Sequence, residues 1–197
     1  MINTLMYYNE NADHFIEGTM NVDMSPIQNK FISYLKEGSH ILDAGCGSGR
    51  DSLAFKKRGY KVTAIDGSEV LCEKASKLLG EPVRQMMFQE IEDEHIYEGI
   101  WACATLLHVP QHQILDVFRR LTRALKQDGV LYVSFKYGTF EGERNGRWFN
   151  DYTEEKFEEL IRLCPELTVL ETWITIDVRP DRQEKWLNII MKKDKEV

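Results

Sequence analysis

No apolar run in this 197-residue chain approaches the roughly 20 residues that a membrane-spanning helix needs, so no span is expected. The first ten residues lack a basic stretch followed by an apolar segment, which argues against a secretory leader. Cysteine is sparse. Cys46, Cys72, Cys103 and Cys164 stand far apart and match neither zinc-ligand spacing nor a redox pair. They read as buried thiols of a reducing compartment, and the expected location is the cytoplasm. Basic residues are outnumbered, 25 Lys and Arg against 32 Asp and Glu, for a formal charge of −7. A nucleic-acid partner needs a basic face, so this balance argues against one, while a local patch stays open. Repeats, low-complexity tracts and linker-like stretches are also missing, so one domain over residues 1–197 is expected. A chain of this length buries roughly 70% of its unfolded surface.

What is present alternates between strand and helix patterns. Ser25-Pro26 predicts a capped helix start, followed by Ile27, Phe31, Tyr34 and Leu35 at helical spacing and a stop at Gly38. Residues 40–44 read as a buried strand, 51–58 as a helix closed by Gly59, and 61–66 as a second strand. Ser68 caps a helix that Gly80 ends. Strands are expected at 83–87, 99–104 and 130–136. The helix before the last of these, about 113–126, puts Ile114, Val117, Phe118, Leu121 and Leu125 on one face. Residues 137–150 read as a loop, followed by a helix capped by Asp151 or Thr153. Two β-rich segments, 167–178 and 184–192, close the chain around a turn at Arg179-Pro180-Asp181. Repeated βα units followed by a strand pair predict an α/β fold. Its sheet is Rossmann-like and mostly parallel, with a C-terminal antiparallel hairpin and helices on both faces.

The most informative stretch is residues 41–51, Ile-Leu-Asp-Ala-Gly-Cys-Gly-Ser-Gly-Arg-Asp. An apolar strand end runs into alternating glycines and then into a helix. Glycine lets backbone N–H groups approach a ligand that a Cβ would push away. About twenty residues past Gly45, Asp66 ends the second strand, where a carboxylate can accept hydrogen bonds from ribose hydroxyls. A dinucleotide fingerprint would need a third glycine where Arg50 stands. Asp43, two residues before the first glycine, would repel a pyrophosphate and suits a ligand bearing an ammonium group.

These residues resemble the class I S-adenosylmethionine-dependent methyltransferases over nearly the whole chain, most closely bacterial small-molecule members of the tellurite-resistance and quinone-biosynthesis kind. The resemblance implies seven strands with the last two antiparallel, and S-adenosylmethionine as cofactor. It implies that Asp43, Gly45 and Gly47 line the methionine moiety, with Cys46, Arg50 and Gly67 beside them, and that Asp66 holds the ribose. Many members carry an acid at the end of the third strand to meet adenine, whereas this chain has Met87-Phe88 there. Phe88 could stack on the purine and Gln89 bond its edge, with plain core packing as the alternative for both. Cys103 and Ala104, at the end of the fourth strand, would reach the cofactor through their backbone. Residues 1–24 are a candidate lid, with Tyr8 and Phe15 as the aromatics near the sulfonium, the alternative being a helix packed on the sheet edge.

Methyl transfer is an in-line displacement, so the enzyme positions the nucleophile and removes a proton where necessary. His108 is the candidate acid/base, against a structural role anchoring its loop. Lys136, Tyr137, Arg144, Arg147 and Trp148 are candidates to shape a pocket for a polar or anionic acceptor. The Asn/Asp-Pro-Pro-Tyr/Phe motif of enzymes acting on exocyclic amines of DNA bases is missing after the fourth strand, as are the clustered carboxylates of metal-dependent catechol enzymes. No metal is expected. A small-molecule acceptor is favoured. The rival readings are an NAD(P)-dependent Rossmann oxidoreductase, a cofactor-binding protein without turnover, and an RNA-modifying enzyme.

Overall fold

Strand β1 (His40–Ala44) is the axis of the fold, and its sequence explains why: every residue from Ile41 to Ala44 is buried. A strand buried on both faces reads as a continuous apolar run, and this one is interrupted only by Asp43. The computed structural model describes residues 2–179 and 182–194. β1 pairs in parallel with β2 (Lys61–Asp66) on one side and with β4 (Tyr97–Ala102) on the other. Outward from β2 lies β3 (Arg84–Gln85). Beyond β4 come β5 (Leu125–Lys136), then β9 (Lys185–Lys193) and β8 (Leu167–Ile176), giving the order β3-β2-β1-β4-β5-β9-β8. The first five strands are mutually parallel, and β9 runs antiparallel to both β5 and β8. The expected sheet and terminal hairpin are present.

Alternation along the strands sorts the core into two layers. Leu42, Ile100 and Leu131 are register partners and share one layer with Phe118 and Leu121 of α6 (Gln111–Ala124). Ile41, Trp101 and Tyr132 face the other side, under Phe31 of α3 (Ser25–Ile32) and Phe55 of α4 (Arg50–Lys57). Trp101 is fully buried and stacks on Tyr132 at 4.1 Å between ring centroids. Asp43 is the register partner of Trp101, so the only carboxylate of β1 lies in this aromatic row.

Several local signals act as their chemistry dictates. The Ser68 hydroxyl accepts from the N–H of Leu71 at the start of α5 (Glu69–Leu79), and Gly80 closes that helix in the left-handed region. Thr153, not Asp151, caps α7 (Glu154–Ile161). Ser25 opens α3 without a side-chain cap; its own N–H instead donates to Asp23 Oδ1 at 2.9 Å.

Other boundaries move. β3 is two residues long because Glu90 Oε2 accepts the Met87 N–H and folds the chain into a short 3-10 turn at Phe88–Glu90. β4 stops at Ala102 because Ala104 takes a positive φ of 53°. The expected loop at 137–150 contains a hairpin, β6 (Glu141–Arg144) with β7 (Arg147–Asn150). Asn145 and Gly146 both have positive φ, 51° and 75°, the geometry that Asn-Gly favours in a two-residue hairpin turn. Of the turn at Arg179-Pro180-Asp181, Pro180 and Asp181 lie outside the described residues. Ahead of α3 stand two further helices, α1 (Ile2–Glu10) and α2 (Ala12–Thr19). No helix among the described residues is long and apolar enough to cross a membrane.

Candidate active site

The carboxyl ends of the parallel strands open into a cavity of about 710 Å³. That lies within the roughly 300–1,000 Å³ typical of small-molecule sites. Its floor is the turn between β1 and α4. Gly45 has a φ of +84°, and a Cβ there would sit 2.0 Å from Thr105 Oγ1. Gly47 has a φ of +54°, and the Phe15 ring stands 3.0 Å from where its Cβ would be. Any other residue at either position would strain the backbone and meet a neighbour.

Asp66 locks this turn in place. Its Oδ2 accepts the Gly47 N–H at 2.9 Å and its Oδ1 accepts the Ser68 N–H at 2.8 Å. Burial pushes the carboxyl pKa up, while the N–H donors of Ser68, Gly47 and Gly67 pull it back. Four lone-pair sites serve these three N–H donors, so the carboxylate retains acceptor capacity toward the cavity.

Asp43 is 2% exposed and accepts the Ser52 hydroxyl at 2.6 Å. Burial, with Asp51 close by, raises its pKa to about 7. Asp51 is the better-served acid of the two. It takes Gln28 Nε2 at 2.7 Å, Trp101 Nε1 at 3.0 Å and both Nε and Nη2 of Arg50 at 2.9 Å. Arg50 also donates to the Thr19 carbonyl at 3.0 Å, tying α4 to the end of α2.

Both N-terminal helices wall the cavity, through residues including Leu5, Tyr8 and Phe15. The Tyr8 hydroxyl lies 2.9 Å from His108 Nε2, and His108 Nδ1 lies 2.6 Å from the Trp148 carbonyl. A carbonyl only accepts, so Nδ1 carries the proton and Nε2 accepts from Tyr8. Burial lowers the His108 pKa to about 4, with Arg147 and Lys136 adding to the effect. The imidazole is therefore neutral near pH 7, and both its nitrogens are engaged.

The structure brings most of the sequence-predicted residues to this cavity. Tyr8, Phe15, Asp43, Gly45, Cys46, Gly47, Arg50, Asp66, Gly67, Phe88, Cys103, Ala104, His108, Lys136 and Arg147 all line it. Four expected residues do not. Gln89 turns away, donating from Nε2 to Gln113 Oε1 at 2.8 Å, because the 3-10 turn rotates it off the wall. Tyr137 is 37% exposed on the outside, bridged to Tyr152. Arg144 pairs with Asp151 and lies 4.1 Å over the Phe140 ring, and these partners hold it off the cavity wall although it shares a hairpin face with its register partner Arg147. Trp148 contributes its backbone: the carbonyl to His108 and the N–H to Thr4 Oγ1 at 2.9 Å.

Sequence reasoning missed Met86, Met87, Thr105 and Ser134, and a group from the terminal hairpin: Asp177, Arg179, Arg182, Trp186 and Asn188. Asp177 accepts from Arg179 Nε at 2.8 Å and Trp186 Nε1 at 3.1 Å, and despite partial burial these donors hold its pKa at about 2. The clustering of Asp, Arg, Arg and Trp around an expected turn was the available signal.

The Rossmann-like sheet ending in β5-β9-β8 is a fold shared with solved methyltransferase structures. Residues 41–129 match the family described as methyltransferase domain. Among curated relatives, the ribosomal protein L11 methyltransferase of Acetivibrio thermocellus is 24% identical over 154 residues, covering 74% of this chain and 44% of that protein. A ubiquinone biosynthesis O-methyltransferase of Coxiella burnetii is 30% identical over 119 residues, 56% of this chain and 50% of that protein. The chain thus matches half or less of the length of these relatives. Among solved structures, the Burkholderia thailandensis 1,6-didemethyltoxoflavin-N1-methyltransferase superposes with a TM-score of 0.78 at 23% identity, covering 97% of this chain and 85% of that one. That structure holds 1,6-didemethyltoxoflavin and S-adenosylhomocysteine.

Proposed function

We propose that this protein is an S-adenosylmethionine-dependent methyltransferase acting on a small molecule. The observation that carries the reading is the turn at Gly45–Gly47 held by Asp66 beneath a cavity large enough for a nucleoside and an acceptor together. The residues fit the cofactor's chemistry. Asp66 suits ribose hydroxyls, and Asp43 suits the ammonium of the methionine end. The bare backbone at Gly45, Cys46, Gly47 and Gly67 admits close approach. Phe88, with Met86 and Met87, offers an apolar slot for adenine, and Cys103 and Ala104 close the side toward β4. Bound there, the sulfonium supplies an electrophilic methyl group.

The chain's own residues do the rest. Helices α1 and α2 act as a lid whose Tyr8 and Phe15 exclude water from the reacting face. His108, neutral and anchored by the Trp148 carbonyl, orients the Tyr8 hydroxyl, which also bonds Arg147 and has one lone pair left to take a hydrogen bond from the acceptor. Any proton reaching His108 passes through that hydroxyl. Lys136 and Arg147 stand on the acceptor side. The Burkholderia structure, with its bound small molecule, and the Coxiella relative, named for ubiquinone biosynthesis, support a small acceptor. Four free cysteines fit a reducing, cytoplasmic setting.

Calorimetric titration with S-adenosylhomocysteine and with NADH tests the reading. Binding of the first is expected; binding of NADH alone would replace it with the oxidoreductase reading. Labelled methyl donor incubated with a metabolite extract then identifies the acceptor.

A further inference from the structure

The cofactor end of the cavity carries Asp43 and Asp66 at the β1 and β2 tips with Asp51 and Arg50 at the start of α4. Lys136 from β5, Arg147 from β7 and Arg179 and Arg182 from the β8–β9 connection also line it. Most of those cations have acidic partners: Lys136 meets Glu184 at 3.1 Å, and Arg179 meets Asp177 at 2.5 Å. Arg147 differs. Among the described residues no carboxylate pairs with it; its side chain bonds the Tyr8 hydroxyl, and its buried Nε has no hydrogen-bond partner.

The surroundings of Arg147 sharpen the point. Its guanidinium lies 4.4 Å over the Tyr7 ring, 5.2 Å over Phe149 and 5.8 Å over Tyr8. Three rings strip water from this guanidinium. A buried donor without an acceptor is destabilising, and a planar oxyanion facing the fork of the guanidinium would relieve it with two charge-assisted bonds. A carboxylate presents two coplanar oxygens to the planar fork, and its single charge matches this one cation, where a phosphate carries more charge than Arg147 alone can balance.

We propose that Arg147 binds a carboxylate of the methyl acceptor, so that the substrate of this enzyme is an organic acid whose anionic end docks between Tyr7 and Phe149 beside the Tyr8 hydroxyl. The inference rests on the methyltransferase reading and adds the chemical class of the acceptor.

The test uses the full chain loaded with S-adenosylhomocysteine and three probes of one shape: benzoate, phenyl phosphate and the neutral benzamide. Chemical-shift titration should show benzoate binding at least tenfold tighter than benzamide and tighter than phenyl phosphate. Arg147→Gln, checked for folding by its melting curve, should lose that preference while keeping its affinity for S-adenosylhomocysteine within about twofold. Equal affinities for benzoate and benzamide in the wild-type chain, a preference for phenyl phosphate, or a tenfold loss of S-adenosylhomocysteine binding in Arg147→Gln would each overturn the assignment. The wild-type comparison stands even if the variant fails to fold. Failure of the wild-type chain to bind S-adenosylhomocysteine is a separate result, and would overturn the methyltransferase reading along with this one.

Discussion

The Tyr8 hydroxyl donates to Nε2 of His108 across 2.9 Å, joining the first helix to the loop that leaves β4 one hundred residues later. Through Nδ1, the same ring holds the Trp148 carbonyl on the β6–β7 hairpin. Three segments distant in sequence therefore meet at one neutral imidazole, over the mouth of the cavity. Replacing His108 with alanine should loosen all three. Turnover is expected to fall at least tenfold with little change in affinity for S-adenosylhomocysteine, and Tyr8→Phe should reproduce most of the loss. Normal turnover in both variants would remove the pair from the chemistry.

The buried imidazole also sets a pH dependence. The folded-state pKa of His108, about 4, lies below the unfolded value of roughly 6.5. Between those values the unfolded chain binds a proton that the native chain refuses, so stability falls as pH drops through this window. The contribution is about 2 kcal/mol between pH 7 and pH 5. Urea unfolding at the two pH values should show that much less acid sensitivity in His108→Gln than in the wild-type chain.

Asp43 carries the opposite sign. Its pKa, raised to about 7, exceeds that of the unfolded chain, so the native state loses stability as pH rises from near 4 through 7. Asp43→Asn keeps the shape and an acceptor for Ser52 while removing the charge. At pH 8 it should stabilise the protein by on the order of 2 kcal/mol and at the same time weaken S-adenosylhomocysteine binding. A variant that gains stability and binds equally well would show that this carboxylate has no role in holding the ligand.

Asp66 supports both the turn and the proposed ribose contact. Asp66→Ala should raise the dissociation constant for S-adenosylhomocysteine by roughly 5- to 150-fold, the equivalent of about 1–3 kcal/mol. Unchanged affinity by calorimetry would rule out the ribose assignment.

Gly45 tests the steric argument. Gly45→Ala places a methyl group on Thr105 and forces alanine to a φ of +84°, so a loss of more than about 1 kcal/mol is expected. Thr105→Ala in the same chain should recover the part due to the clash and leave the backbone part. A double-mutant cycle on unfolding free energies separates the two.

Much of the architecture could be read from residue order because its causes are local. The apolar stretch of β1 around Asp43, the Ser68 cap with Gly80 closing the same helix about three turns later, and the periodic face of α6 each depend on neighbours a few residues away. The β6–β7 hairpin is equally local, and the Asn145-Gly146 pair is its signal; the charged and aromatic residues around that pair carry no strand periodicity that would mark it as more than a loop. Arg144, Trp148 and Gln89 were misplaced for a different reason. Whether a side chain near a cavity faces it depends on strand register and on the rotation of a turn, and neither is written in spacing.

Glycines that tolerate positive φ, a carboxylate at the end of β2 and alternating buried strands were dictated by covalent chemistry and periodicity, and residue order alone was enough to establish them. Long-range packing decided the rest. It brought Tyr8 to His108, set Arg147 among Tyr7, Tyr8 and Phe149, and turned Asp177 and Arg179 into part of the wall. Those encounters join residues separated by up to about 140 positions, and only the closing of the sheet and the docking of its first helix put them within reach of one another.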